Sequence, residues 1–215
     1  SNFSFLKNFA RLHDFMNADG ILADLGVSSH QFDQGEKGFS IRFSGPLDMR
    51  MNPGQGLSAA KVVNEYDVED LVRIFKLYGE IKNAKRLASA IEVKRNEVEL
   101  NTTDALIEVV KSVGPKGRKE NQYLAQVFQA IRIEVNGELE VLKKMIVQAE
   151  EVLKPGGRFV VISYHSLEDR LVKNYFKRGS FEGEVEKDFY GNVLKPFDEV
   201  ARKPIVPGEE EIAEN

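Results

Sequence analysis

Apolar and polar positions alternate along this chain in blocks with different periods. Phe5, Leu6, Phe9, Leu12 and Phe15 recur at spacings near three and four, which predicts a helix within residues 1–16. A compact apolar run, Ile21 to Ala23, then meets a carboxylate at Asp24 and reads as a buried strand. A long irregular stretch rich in Gly, Ser and Pro runs on to about Leu57. From Ser58, a candidate N-cap, to Val113 the period is helical. Leu71, Ile74, Phe75 and Tyr78 fall at i, i+3, i+4, i+7, as do Leu106, Val109, Val110 and Val113, and Ile81, Ala84, Ala88 and Ile91 form a similar stripe. Four short helices are expected there, closed by Gly114-Pro115-Lys116-Gly117.

Helical spacing resumes at Gln122 and runs towards Leu153. One unbroken helix would be about 48 Å long at 1.5 Å per residue, so a break is expected at Asn136-Gly137. Leu153-Lys-Pro-Gly-Gly predicts a helix end and tight turn, and Phe159 to Ser163 a second buried strand. A helix from Ser166 to about Arg178 follows, with Ser166 and Asp169 fitting a capping box, and Gly179 to Asn215 reads as loop. Strand, helices, strand, helix is an α/β order. The expected domains are a sheet domain over 1–57 and 121–215 and an inserted helical lobe over 58–120.

Composition narrows the class. With 215 residues, 42% hydrophobic, the chain can bury one core and a smaller lobe. No window resembles a membrane span and the N-terminus lacks a signal-peptide pattern, so a soluble cytoplasmic protein is expected. The absence of cysteine excludes disulfides and a thiolate nucleophile within the chain. His13, His30 and His165 are too few and scattered to suggest a metal site. The net charge of −4 hides an uneven spread: seven basic and two acidic residues between Arg73 and Arg95, and four basic residues with no acidic one from Lys111 to Lys119. Such runs read either as solvated helix faces or as a phosphate-binding surface.

Chemistry-bearing residues gather at three places. Asp24 stands at a strand end, where parallel sheets bind ligands, and Gly26 lets backbone approach closely; a simple turn or helix cap is the other reading. The long loop carries Arg42, Asp48 and Arg50, which either close over a ligand or pair to hold the loop, and Phe39 and Phe43, which either stack on a base or bury locally. His165 lies just past the second strand and is either a proton acceptor or a satisfied hydrogen-bonding group. Arg132, Asn136 and Glu138 flank the expected helix break, lining a site or supporting it.

Three blocks together resemble one family. They are Asp24-Leu-Gly-Val-Ser-Ser-His-Gln31 with Gly45-Pro-Leu-Asp-Met-Arg-Met51, then Phe128-Gln-Ala-Ile-Arg-Ile-Glu-Val-Asn-Gly-Glu-Leu139, and Ser163-Tyr-His-Ser-Leu-Glu-Asp-Arg170 with Pro207-Gly-Glu-Glu-Glu-Ile-Ala-Glu-Asn215. In order and nearly end to end, they resemble the bacterial 16S rRNA cytosine-N4 methyltransferases of MraW type. The resemblance implies an incomplete class I, Rossmann-like methyltransferase sheet with an inserted all-helical lobe. It implies S-adenosylmethionine as donor and, as acceptor, a cytidine in the decoding region of 16S rRNA within the small ribosomal subunit. Carried over, the donor-binding positions are Phe3, Asp24 and Gln31. His30 stands where the family more often has proline.

The family's first strand, its glycine-rich turn and an acidic ribose-binding residue would fall before Ser1, and a further strand after Asn215. The resemblance thus implies a fragment that on its own binds the donor weakly or not at all. Methylating an exocyclic amine is a direct displacement needing no covalent intermediate, unlike C5 methylation, so a chain without cysteine fits it. Asp24 and His165 are the candidate catalytic groups. Arg42, Asp48, Arg50, Lys82, Lys85, Arg86, Arg132 and Asn136 are the candidate RNA-side residues. The rival readings are a catalytically silent RNA-binding or ribosome-assembly module, and a methyltransferase of another substrate class.

Overall fold

A computed structural model of the chain describes residues 2–26, 37–54, 56–201 and 203–214. The backbone divides into two compact units, Ser1–Asp24 with Lys143–Asn215, and Leu25–Leu142. These bounds differ from the expected 57/58 and 120/121. The loop before Ser58 and the helix after Lys119 bury Leu47, Met49, Val127 and Ile131 in one core with the lobe helices.

In the first unit β1 (Ala18–Asp24) pairs in parallel with β2 (Leu153–Ile162), from Gly20 opposite Arg158 to Asp24 opposite Ile162. β2 starts earlier than expected because Leu153 pairs with Ala18, and Lys154 to Gly157 fall in the register shift between Ala18 and Gly20. Proline donates no ladder hydrogen bond, and Gly156 takes φ +80°, so the shift falls where the backbone can accept it. Ala23 is buried, whereas Leu22, Val160 and Ile162 share an exposed face of the two-stranded sheet.

Around the sheet lie α1 (Leu6–Leu12), entered through a single 3₁₀ turn at Phe3–Phe5, and the C-terminal part of the helix Glu138–Val152. That helix buries Met145, Ile146, Ala149 and Val152. Gln148 ties the chain's start to it: its Oε1 accepts from Lys7 N–H at 2.9 Å and its Nε2 donates to Ser4 O at 2.8 Å. After β2 comes the helix Ser166–Arg178, ended by Gly179 in the left-handed region, where a Cβ would stand 2.4 Å from Leu194 O. Its N-cap is His165 rather than Ser166, because the extended backbone falls one residue earlier. Phe159, Phe176 and Phe197 pack ring to ring at 5.2–5.6 Å and anchor the returning segment. Glu209–Glu214 is helical where a loop was expected.

The second unit holds α2 (Ala59–Glu65), α3 (Val68–Leu77), α4 (Ala84–Glu97), α5 (Thr103–Val113) and α6 (Glu120–Asn136). Ser58 caps α2 as expected, and Asp67 and Thr102 cap α3 and α5. The apolar stripes read from the sequence are its core: Leu71, Ile74, Phe75, Leu87, Ala88, Ile91, Leu106 and Val110 are fully buried. α6 ends at Gly137, φ +58°, the break anticipated from Asn136-Gly137; numbering the helix after it α7 (Glu138–Val152) makes Ser166–Arg178 α8. No helix among the described residues is long and apolar enough to cross a membrane.

Candidate functional site

In the first unit Asp24 and His165 stand at and just beyond the carboxyl ends of the paired strands. Asp24 is the last residue of β1 and is exposed. Its Oδ1 accepts a hydrogen bond of 2.8 Å from the hydroxyl of Tyr164, two residues beyond its strand partner Ile162. The carboxylate beside it raises the Tyr164 pKa above the ordinary phenol value, so the phenol is the donor at neutral pH. Phe3 sits in the opening 3₁₀ turn with its ring partly exposed. Gln31, with His30, lies outside the described residues.

His165 and Glu168 form an interlocked pair at the start of α8. His165 Nδ1 accepts from Glu168 N–H at 3.4 Å, which leaves the neutral ring's proton on Nε2. Nε2 is buried and has no hydrogen-bond partner among the described residues, with Glu168 Oε1 at 3.3 Å. The Glu168 carboxylate, 3% exposed as a residue, reaches back and accepts from Tyr164 N–H at 3.0 Å. This is capping-box logic on His165 and Glu168 in place of the expected Ser166 and Asp169. Through Nδ1 His165 acts as a helix cap, while its buried Nε2 has no hydrogen-bond partner among the described residues.

In the second unit the described part of the long loop, 37–54, is held by specific bonds. Arg50 grips Asp48 bidentately, Nε to Oδ1 at 2.7 Å and Nη2 to Oδ2 at 2.8 Å, and holds its carboxyl below the ordinary range. Asn136, buried at the end of α6, donates through Nδ2 to Met49 O at 2.8 Å and accepts from Met51 N–H through Oδ1 at 2.8 Å. Thr103, fully buried, accepts from Gly45 N–H and donates to Phe43 O, each at 3.1 Å. Phe39 is buried in the core and offers no ring face to a base, while Phe43 is about half exposed at 48%. Arg42 is exposed, and Asp48 and Arg50 line an open cleft of about 480 Å³ with Pro46, Ser58 and Lys61. Arg132 pairs with Glu138 across the helix break at 2.8 and 3.0 Å.

Several cations of the basic runs form ion pairs among the described residues. Arg73 bridges Asp70 and Glu134, Arg95 meets Glu92, Lys94 meets Glu97 and Lys111 meets Glu120. Lys82, Lys85 and Arg86 are exposed at the start of α4, whose first turn has no acidic residue. Asn83 joins that end to the close of α5 and the start of α6, donating to Val113 O at 3.2 Å and accepting from the Tyr123 hydroxyl at 2.9 Å. The structure thus brings Lys82, Lys85 and Arg86 of the first basic run to the end of the lobe where the second run begins.

Sequence reasoning passed over Tyr164, Glu168 and Thr103 as site-forming groups. The signal for Glu168 was its place three residues after His165; a tyrosine reaching across a strand pair leaves no local trace.

Parallel strands with an exposed carboxylate at their carboxyl ends, joined through a helical insertion, define an α/β protein with an incomplete Rossmann-like methyltransferase sheet. The chain belongs to the MraW methylase family, whose family model matches residues 1–215. Its relatives include proteins named "Ribosomal RNA small subunit methyltransferase H". Those of Flavobacterium johnsoniae, Bacteroides thetaiotaomicron and Cytophaga hutchinsonii are 58%, 56% and 51% identical to it. In each case all of this chain is covered, together with 70%, 70% and 72% of the relative.

Proposed function

We propose that this protein transfers a methyl group from S-adenosylmethionine to the exocyclic N4 amine of a cytidine in the decoding region of 16S rRNA, in the cytoplasm. The observation that carries the reading is the strand-end carboxylate of Asp24, exposed beside the parallel partner strand in a chain of the MraW methylase family. The relatives' printed names supply the small-subunit rRNA as substrate class.

The residues fit such a donor. Asp24 offers a carboxylate acceptor and Phe3 an accessible apolar ring, with Gln31 as the third family position. Bound there, the donor supplies an electrophilic sulfonium methyl. The amine nitrogen forms the new N–C bond as the C–S bond breaks, and the surplus proton leaves nitrogen for solvent. The lone pair of that amine is delocalised into the pyrimidine ring, so acceptors that draw on its N–H groups and hold it in line supply much of the rate. His165 serves by capping α8 and holding the turn next to Asp24. On the RNA side Lys82, Lys85 and Arg86 contact phosphates, with Arg42, Asp48 and Arg50 on the loop and Arg132 and Asn136 at the helix break as further RNA-side groups.

Labelled-methyl transfer to small-subunit particles by the full-length protein, with mass mapping of the modified nucleotide, tests this. Methylated cytidine that disappears with Asp24→Ala is the expected result. Binding to particles without transfer would make the protein a silent assembly module, and label on another base would change the substrate.

A further inference from the structure

We infer that Tyr164 is the positioning residue for Asp24, and that Glu168 holds Tyr164 in place to do it. The inference rests on the reading of Asp24 as a donor-binding group.

An aspartate at an exposed strand end has two free side-chain torsions, and every ligand contact it makes has to overcome that freedom. Here one oxygen is already engaged. The Tyr164 hydroxyl lies 2.8 Å from Oδ1, and no hydrogen bond to Oδ2 is found among the described residues. With Oδ1 engaged, Oδ2 is the oxygen left to accept from the donor molecule.

The main chain at Tyr164 is held, although its side chain is largely in solvent and, among the described residues, its hydroxyl is held only by the bond to Asp24. Its N–H is bound to Glu168 Oε2 at 3.0 Å, and Glu168 is fixed by its place in the first turn of α8 and by His165 on its own N–H. A carboxylate this buried is expensive to desolvate, and an ordinary cap of α8 needs only a short polar side chain. What Glu168 adds is the reach to Tyr164, one residue ahead of the cap. The path of constraint runs from the rigid start of α8 through the Tyr164 backbone to its hydroxyl and on to Asp24. All of these groups lie in the same compact unit.

The experiment is calorimetric binding of S-adenosylmethionine and steady-state methyl transfer by the full-length protein, with Tyr164→Phe, Asp24→Ala, the double variant, and Glu168→Gln. Phenylalanine keeps the ring and removes only the exposed hydroxyl, so the thermal midpoint should not move. Donor affinity should fall about tenfold, in line with a hydrogen bond to a charged group. kcat at saturating donor should change less than twofold. Asp24→Ala should weaken binding at least as much, and adding Tyr164→Phe to it should cause no further loss. Glu168→Gln, which retains an oxygen for Tyr164 N–H, should keep near-native affinity. Wild-type affinity in Tyr164→Phe beside a weakened Asp24→Ala, or additive losses in the double variant, would overturn the positioning role while leaving Asp24 in the site. Unchanged affinity in Asp24→Ala would overturn both.

Discussion

Asp48 and Arg50 show what single side chains do in this protein. Both Asp48 oxygens meet the Arg50 guanidinium, and Oδ1 also accepts from Arg50 N–H at 3.1 Å, so the pair folds the loop on itself. Arg50 chiefly, through the side-chain hydrogen bond, sets the Asp48 carboxyl below its usual pKa. The sign follows: a depressed folded pKa contributes stability above the unfolded value of about 3.9, and that stability is lost as pH falls through the folded value. NMR titration of the Asp48 carboxylate should give a midpoint below the ordinary aspartate value, and Arg50→Gln should return it there. A midpoint that stays low in Arg50→Gln would assign the effect to other neighbours, Lys37 first.

Between elements, one buried amide joins α6 to the loop at Met49–Met51. Asn136 ends α6 and also binds Arg132 O at 2.9 Å, so the helix terminus and the Met49–Met51 backbone are satisfied by one side chain. Met49 at φ +58° is a strained position for a methionine, and its fully buried side chain together with the Asn136 bonds holds it there. Asn136→Ala leaves Met51 N–H and Met49 O without these partners and should destabilise by about 2 kcal/mol. Asn136→Asp keeps the acceptor but sets a carboxylate oxygen against two carbonyls, so it should be no milder. Chemical denaturation measures both, and hydrogen exchange at Met51 should quicken. An unmoved midpoint in Asn136→Ala would mean that water replaces the amide without loss.

Across the whole molecule, charge is sorted by position. The acidic chain carries a cluster of cations where α4 begins, α5 ends and α6 begins. Cations in the first turn of a helix face the positive end of its dipole, so Lys85 and Arg86 are unfavourably placed until an anion arrives. Reversing Lys82, Lys85 and Arg86 to glutamate in the full-length protein should weaken small-subunit binding while sparing donor binding. It should also flatten the dependence of log K on log salt by about 2, from roughly 0.7 per lost contact to single-stranded phosphate. An unaltered salt slope would remove this end of the lobe from RNA contact.

The sequence alone determined whatever depends on neighbours along the chain. Helical stripes over residues 58–113 became buried helix faces, Ser58 became a cap, Asn136-Gly137 became a break, and the apolar run to Asp24 became a strand. These are local matters of period, capping and allowed φ, and the residues that decide them sit within a turn of one another. Local rules faltered by one residue at the start of α8, where His165 took the cap from Ser166, and at β2, whose ladder reaches back past the irregularity at Lys154 to Gly157 to pair Leu153 with Ala18. Only the tertiary structure decided which residues meet across long stretches of chain: Asn136 with Met49, Thr103 with Gly45, Asn83 with Tyr123, Tyr164 with Asp24. Such pairings satisfy backbone groups or charges left open by a distant element, and no period in the sequence records which element that will be.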